Sequence, residues 1–184
     1  MTDNVQLAAV VGSLRADSFN RVMFNAAVEL AGDHVVLAEV SLRDVPLYDG
    51  DVEAGGDPEA VTALKRAVAA ADGLVVFTPE YNRSVPAVTK NAIDWLSRLP
   101  GESVLSEATV GIVASTPGRH DAAGVRAHLG ASLAANTDGY YEHSLGVASV
   151  NRKFTDGRLS DPETRDELST WLAGFVTYCR ERRA

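Results

Sequence analysis

Apolar positions fall into two alternating patterns along the chain. Val5 to Val11 is a run of apolar and β-branched residues broken only by Gln6, and it stops at Gly12-Ser13. Such a run predicts a buried strand followed by a loop. Met23, Ala27 and Leu30 then recur at helical spacing, with Ser18 and Asn20 ahead of them as possible caps and Gly32 as the stop. His34 to Val40 reads as a second strand. Asp57-Pro58 has the form of a helix start, with Asp as acceptor and Pro at the first helical position, and Val61, Leu64 and Val68 follow on one face. Gly73 to Phe77 is nearly all apolar, as expected of a strand covered on both sides. Pro86 opens a helix carrying Val88, Ala92, Trp95 and Leu96.

Thr109 to Ala114 predicts a fourth strand, and Val125, Leu129 and Leu133 predict a helix after it. A fifth strand is expected between Thr137 and Val147. Asp161-Pro162 repeats the helix-start signal before a stripe of Leu168, Trp171, Leu172, Phe175, Val176 and Cys179. Strand and helix patterns thus alternate, which predicts a parallel sheet with helices on both faces. Ala54-Gly55-Gly56 reads as a flexible loop inside a single domain spanning residues 1–184. In such sheets ligands bind beyond the carboxyl ends of the strands, so the loops after Val11, Phe77 and Ala114 are where chemistry is expected.

Composition narrows the classes. A net charge of -8 argues against nucleic-acid partners, because phosphate backbones repel it, and any anionic ligand then needs a local set of donors. One cysteine, Cys179, cannot build a disulfide framework or a thiolate metal site, and its place on the last apolar stripe suits the core. His34, His120, His128 and His143 have no metal-ligand spacing. Met1-Thr2-Asp3-Asn4 lacks the basic and apolar segments of a signal peptide, and no apolar run approaches a membrane span, so a cytoplasmic location without membrane contact is the expectation.

The first loop, Gly12-Ser13-Leu14-Arg15-Ala16-Asp17-Ser18-Phe19-Asn20, gathers neutral donors at Ser13, Ser18 and Asn20 and a charged one at Arg15. They stand where a helix mouth offers free amides and a positive dipole end, which suits a compact phosphate. The sequence contains neither G-x-x-x-x-G-K-[ST] nor, after the first strand, G-x-G-x-x-G, which favours a terminal phosphate wrapped by the loop over a pyrophosphate on bare backbone. Ser18 or Asn20 alone is also explained as a plain helix cap. The second loop, Thr78-Pro79-Glu80-Tyr81-Asn82-Arg83-Ser84-Val85-Pro86, is restricted by proline at both ends. It reads either as a rigid solvated turn or as a frame offering backbone groups to the edge of a planar heterocycle, with Tyr81 beside or beneath the ring.

Together the two loops resemble the NAD(P)H-dependent FMN reductase family, in particular its chromate- and quinone-reductase branch. The second match continues through Lys90-Asn91-Ala92-Ile93-Asp94-Trp95-Leu96-Ser97-Arg98, and Pro46-Leu47-Tyr48-Asp49 is similar to the segment the family carries after its second strand. The resemblance implies a flavodoxin-like three-layer α/β/α sandwich, with a five-stranded parallel sheet in the order 2-1-3-4-5 and FMN at its carboxyl edge. It implies that Ser13, Arg15, Ser18, Phe19 and Asn20 hold the phosphate end. Pro79, Glu80, Tyr81 and Asn82 would line the isoalloxazine, largely through backbone atoms, with Ser115 close by. It further implies ping-pong transfer of hydride from NADPH or NADH through flavin N5. The acceptors implied are small molecules such as quinones, free flavin, azo compounds or chromate, handled by a homodimer or homotetramer.

One stretch departs from the family. Where a glycine-rich segment is expected after the fourth strand, the chain has Ser115-Thr116-Pro117-Gly118-Arg119-His120-Asp121-Ala122-Ala123-Gly124. Arg119 there is a candidate for the phosphate of NADPH. Glu80 is a candidate for a chemical role by location alone, and Trp95 and Trp171 are read as core. Two other readings remain at this level: an electron-transfer flavodoxin without a nicotinamide site, and a flavodoxin-like interaction module that binds no flavin.

Overall fold

The computed structural model describes residues 4–99 and 101–183, so Met1 to Asp3 lie outside the described residues. Five strands, β1 (Val5–Val11), β2 (Val35–Glu39), β3 (Gly73–Pro79), β4 (Val110–Ser115) and β5 (Leu145–Val147), form one sheet in the order β2-β1-β3-β4-β5. All of the pairings are parallel. The expected strand order is therefore the observed one.

Side-chain alternation along β1 explains the three layers. Val5, Leu7, Ala9 and Val11 enter one core with Phe77, Val113 and Val147, while Ala8 and Val10 enter the other with Leu74, Val76, Ile112 and Ala114. The first core is closed by α1 (Phe19–Leu30) and α7 (Pro162–Arg183). The second is closed by α3 (Glu59–Ala69), α4 (Ala87–Leu96) and α6 (Ala123–Ala134). Since β3 is buried over its full length on both faces, it needs the unbroken apolar run its sequence shows.

Several local readings change. β3 runs two residues beyond Phe77, because Thr78 and Pro79 pair with Ala114 and Ser115 of β4. Pro79 thus ends the strand instead of opening the loop. Ala54 ends a short helix, α2 (Gly50–Ala54), whose start is fixed by Asp49 Oδ1 accepting from the Asp51 amide at 2.9 Å. Asp57 does not cap α3: its carboxylate takes Lys65 Nζ at 2.7 Å, and Pro58 occupies the cap position. Asp161 does act as the sequence suggests, accepting from the Thr164 amide at 3.1 Å and the Thr164 hydroxyl at 2.6 Å. The sequence reading also passed over α5 (Val104–Glu107) and a two-stranded hairpin, β6 (Phe154–Thr155) with β7 (Arg158–Leu159).

Candidate functional site

Four loops leave the carboxyl ends of β1, β3, β4 and β5 side by side. Register brings Val11 level with Phe77, Pro79 with Ser115, and Ser115 with Val147. The two donor-rich loops read from the sequence are therefore neighbours in space.

The first loop begins at Gly12, whose amide donates to the Phe77 carbonyl at 2.7 Å and so extends the ladder by one bond. A β-carbon at Gly12 would stand 2.0 Å from Thr89 Oγ1 on α4. Only glycine lets helix and strand approach this closely. Ser13, Ser18 and Asn20 are all buried, whereas Arg15 is exposed and makes no ion pair among the described residues. Ser18 holds the N-cap position of α1, yet its hydroxyl makes no cap bond. The Arg21 and Val22 amides reach back to the Ser18 carbonyl at 3.0 and 3.2 Å, so the Phe19 and Asn20 amides precede the helical ladder. Asn20 is no cap: it lies inside the helix, and its Oδ1 accepts from Ser115 Oγ at 3.0 Å. That bond leaves the Asn20 amide group with its nitrogen's donors and joins the first loop to the end of β4. Phe19 has a packing partner, its ring lying 5.7 Å from that of Phe154 in the β6–β7 hairpin.

The loop after β3 is a tight two-residue hairpin. Tyr81 and Ser84 exchange backbone bonds of 3.2 and 2.9 Å around Asn82 and Arg83. Both central residues sit in the left-handed region, Asn82 at φ 51° and Arg83 at φ 59°. Tyr81 keeps 47% of its surface exposed, so its ring is open at the sheet edge. Glu80 reaches away to the helix side, where its Oε2 accepts the Val125 amide at 3.1 Å, in the first turn of α6. Ser84 Oγ and His128 Nδ1 on the same helix are 3.0 Å apart.

Residues outside the sequence motifs hold these loops in place. Arg43 Nη2 donates to the Leu14 carbonyl at 2.8 Å and braces the first loop from the segment after β2. Asn91 Nδ2 and Trp95 Nε1 of α4 both donate to the Pro46 carbonyl at 2.8 Å, and Asn91 Oδ1 takes the Tyr48 amide at 2.8 Å. Trp95 is buried, as expected, and is also a donor in this clasp. Burial and the nearby Glu53 carboxylate raise the Tyr48 hydroxyl above its ordinary range. After β4, Thr116 is buried, Arg119 and His120 are exposed, and the Ser149 amide ties the loop down through the Gly118 carbonyl at 2.7 Å. The loops after β1, β3, β4 and β5 carry Arg15, Arg83, Arg119 and Arg152, all exposed and none in an ion pair among the described residues. Among the described residues, no group of three or more His, Cys, Asp and Glu side chains is placed to hold a metal ion, and no helix is long and apolar enough to cross a membrane.

Strand order and edge loops define a flavodoxin-like α/β sandwich with its binding edge at the strand carboxyl ends. Residues 5–149 match the family described as NADPH-dependent FMN reductase. The chain is 35% identical over 186 residues to a 2-hydroxy-1,4-benzoquinone reductase of a Burkholderia species, covering 97% of this chain and 98% of that one. It is 37% identical over 180 residues to a quinone reductase of Escherichia coli K12, covering 95% of each. Among solved structures it is similar to the flavoenzyme NAD(P)H:(acceptor) oxidoreductase of Paracoccus denitrificans, with a TM-score of 0.86 at 29% identity over 97% of this chain and 98% of that one. The chain belongs to the NADPH-dependent FMN reductase family. It is thus an enzyme, a flavin-dependent oxidoreductase of the NAD(P)H-using kind, which sets aside the flavodoxin and interaction-module readings.

Proposed function

We propose that this chain reduces quinones and other small acceptors, among them free flavin, azo compounds and chromate, at one open flavin face. The observation that carries the reading is the pairing of uncommitted donors at the mouth of α1 with an exposed hairpin at the end of the neighbouring strand β3. Ser18 holds the cap position and leaves its hydroxyl unspent, Arg15 has no carboxylate partner among the described residues, and the Phe19 and Asn20 amides precede the ladder. Such a set suits a phosphate monoester.

In this reading Ser13, Arg15, Ser18 and the α1 amides hold the phosphate. Asn20 and Ser115, bonded to each other, form the floor between the two loops. Pro79, Glu80, Tyr81 and Asn82 present backbone groups to the ring edge, and Tyr81 screens it from water on one side. Arg119 is available for the extra phosphate of NADPH. When bound, FMN would supply the hydride and electron chemistry, with nicotinamide and acceptor taking the same open face in turn. The residues' task is to bind, orient and leave that face open. Assembly into a homodimer or homotetramer belongs to the same reading, and light scattering would read it directly.

The test is an absorbance spectrum of the purified chain, followed by NADPH and then NADH without air, then a quinone. The expected sequence is yellow, bleached, and yellow again. A chain that takes up no FMN, or a flavin that neither nucleotide bleaches, would overturn the reading.

A further inference from the structure

The ring hairpin is strained by its own sequence and is held from outside. A two-residue hairpin with both central residues at positive φ ordinarily takes glycine at the second of them. Here that residue is Arg83, at φ 59°. Asparagine tolerates the left-handed region, but a long side chain does so only under constraint. Within the hairpin the restraint is two backbone bonds.

The outside restraint comes from α6. Glu80 Oε2 accepts the Val125 amide at 3.1 Å, and Ser84 Oγ meets His128 Nδ1 at 3.0 Å. At Gly124 the helix lies so close that a β-carbon would stand 2.3 Å from the Arg83 carbonyl oxygen and 2.9 Å from Glu80 Oε2. Gly124 and His128 are four residues apart and share one helix face, while the Val125 amide points out of the helix mouth. The exchange is mutual. The cap residue of α6 is Ala122, at φ 55°, which has no side-chain acceptor, so the acceptor is borrowed from Glu80.

We propose that Glu80 is a positioning residue whose carboxylate is committed to helix α6, and that this bond locks the strained Tyr81–Ser84 hairpin in its ring-binding shape before any cofactor arrives. The lock stands on the geometry alone; its consequence for flavin binding rests on the proposed function. The loop after β4 ends at the same helix turn, so the lock also fixes that loop against the ring hairpin.

The experiment uses the full chain with two readouts. One is amide hydrogen exchange at Ser84 in the FMN-free protein, the amide that closes the hairpin. The other is FMN affinity by fluorescence titration. Glu80→Ala should speed exchange at Ser84 and weaken FMN binding, each about tenfold, the scale of one charge-assisted hydrogen bond. Glu80→Gln keeps an oxygen at the same reach and should recover most of both. If Glu80→Ala lowers the melting temperature while Ser84 exchange and FMN affinity stay as in the wild type, Glu80 is only a helix cap and the lock is refuted. A wild-type chain that ignores FMN would defeat the flavin reading, yet Ser84 exchange would still decide the lock. Should Glu80→Ala fail to fold, Glu80→Asp draws the carboxylate back from the Val125 amide by one methylene. Faster Ser84 exchange there supports the lock, and unchanged exchange overturns it.

Discussion

Replacing Gly12 by alanine tests the packing that sets the first loop against α4. The new β-carbon would stand 2.0 Å from Thr89 Oγ1 and 3.2 Å from Thr78 Oγ1. Comfortable contact needs about 3.5 Å, so something must move by more than an ångström. The partners have little room, because Thr78 and Thr89 are fully buried and their hydroxyls are bonded to each other at 3.0 Å. Turning Thr89 away breaks that bond, a loss of about 1 kcal/mol. Overpacking adds about 1–3 kcal/mol. Alanine returns about 0.4–1 kcal/mol by restricting the unfolded chain. The net destabilisation is about 1–3.5 kcal/mol, which for a chain of this size lowers the melting temperature by roughly 3–10 °C. Thr89→Ala in the same background removes the hydroxyl that clashes, so the double variant should be more stable than Gly12→Ala, with a favourable coupling of about 1 kcal/mol or more. Thermal melts of the four chains, followed by circular dichroism, give the full cycle. A Gly12→Ala chain that melts with the wild type, or a cycle without coupling, would refute the packing argument.

Three further outcomes are expected. Arg15→Ala removes an unpaired cation from the proposed phosphate loop and should weaken FMN binding about ten- to a hundredfold, the equivalent of roughly 1.5–3 kcal/mol; fluorescence titration with unchanged affinity would contradict that role. The Lys153 ammonium, with the Thr164 hydroxyl and amide, holds the Asp161 carboxyl down to about 2, against an ordinary 3.8. Its stabilising contribution is therefore complete above the ordinary value and is lost as pH falls from there toward 2. Urea melts should show a shallower acid decline for Asp161→Asn over that window, and identical slopes would count against it. Burial pushes the Cys179 thiol up to about 12, so an aromatic disulfide reagent at neutral pH should label it only as fast as the chain opens; prompt labelling of the native chain would contradict its burial.

Much of the architecture was legible because buried parallel strands must be apolar on both faces, and β1 and β3 meet that demand with long runs. Long helices showed their stripes, as α7 does from Leu168 to Cys179. Shorter elements gave no such signal: α5 has four residues and β6 and β7 two each, too few for a period to show. The two Asp-Pro pairs mark the limit of local rules. Asp161 caps through Thr164, whereas Asp57 surrenders its carboxylate to Lys65, a partner eight residues on. The site divides in the same way. Donors and prolines stood in contiguous runs and could be read, but the bonds from Arg43 to Leu14, from Val125 to Glu80 and from Asn91 to Pro46 span 29, 45 and 45 residues. The carboxylate of Glu80 belongs to α6, a fact that no spacing in its own loop records.

Helix α4 presents Thr89 to the first loop, and Asn91 and Trp95 to the Pro46 carbonyl. One short helix thereby acts as a ruler for two loops at once. Deleting a single residue ahead of Thr89 would turn these side chains by about 100° around the axis, and both loops would lose their reference together. Length changes should accordingly be accepted in the turns beyond Leu96 and be fatal between Ala87 and Thr89. A library of one-residue insertions, sorted by survival of the fold, would draw that boundary.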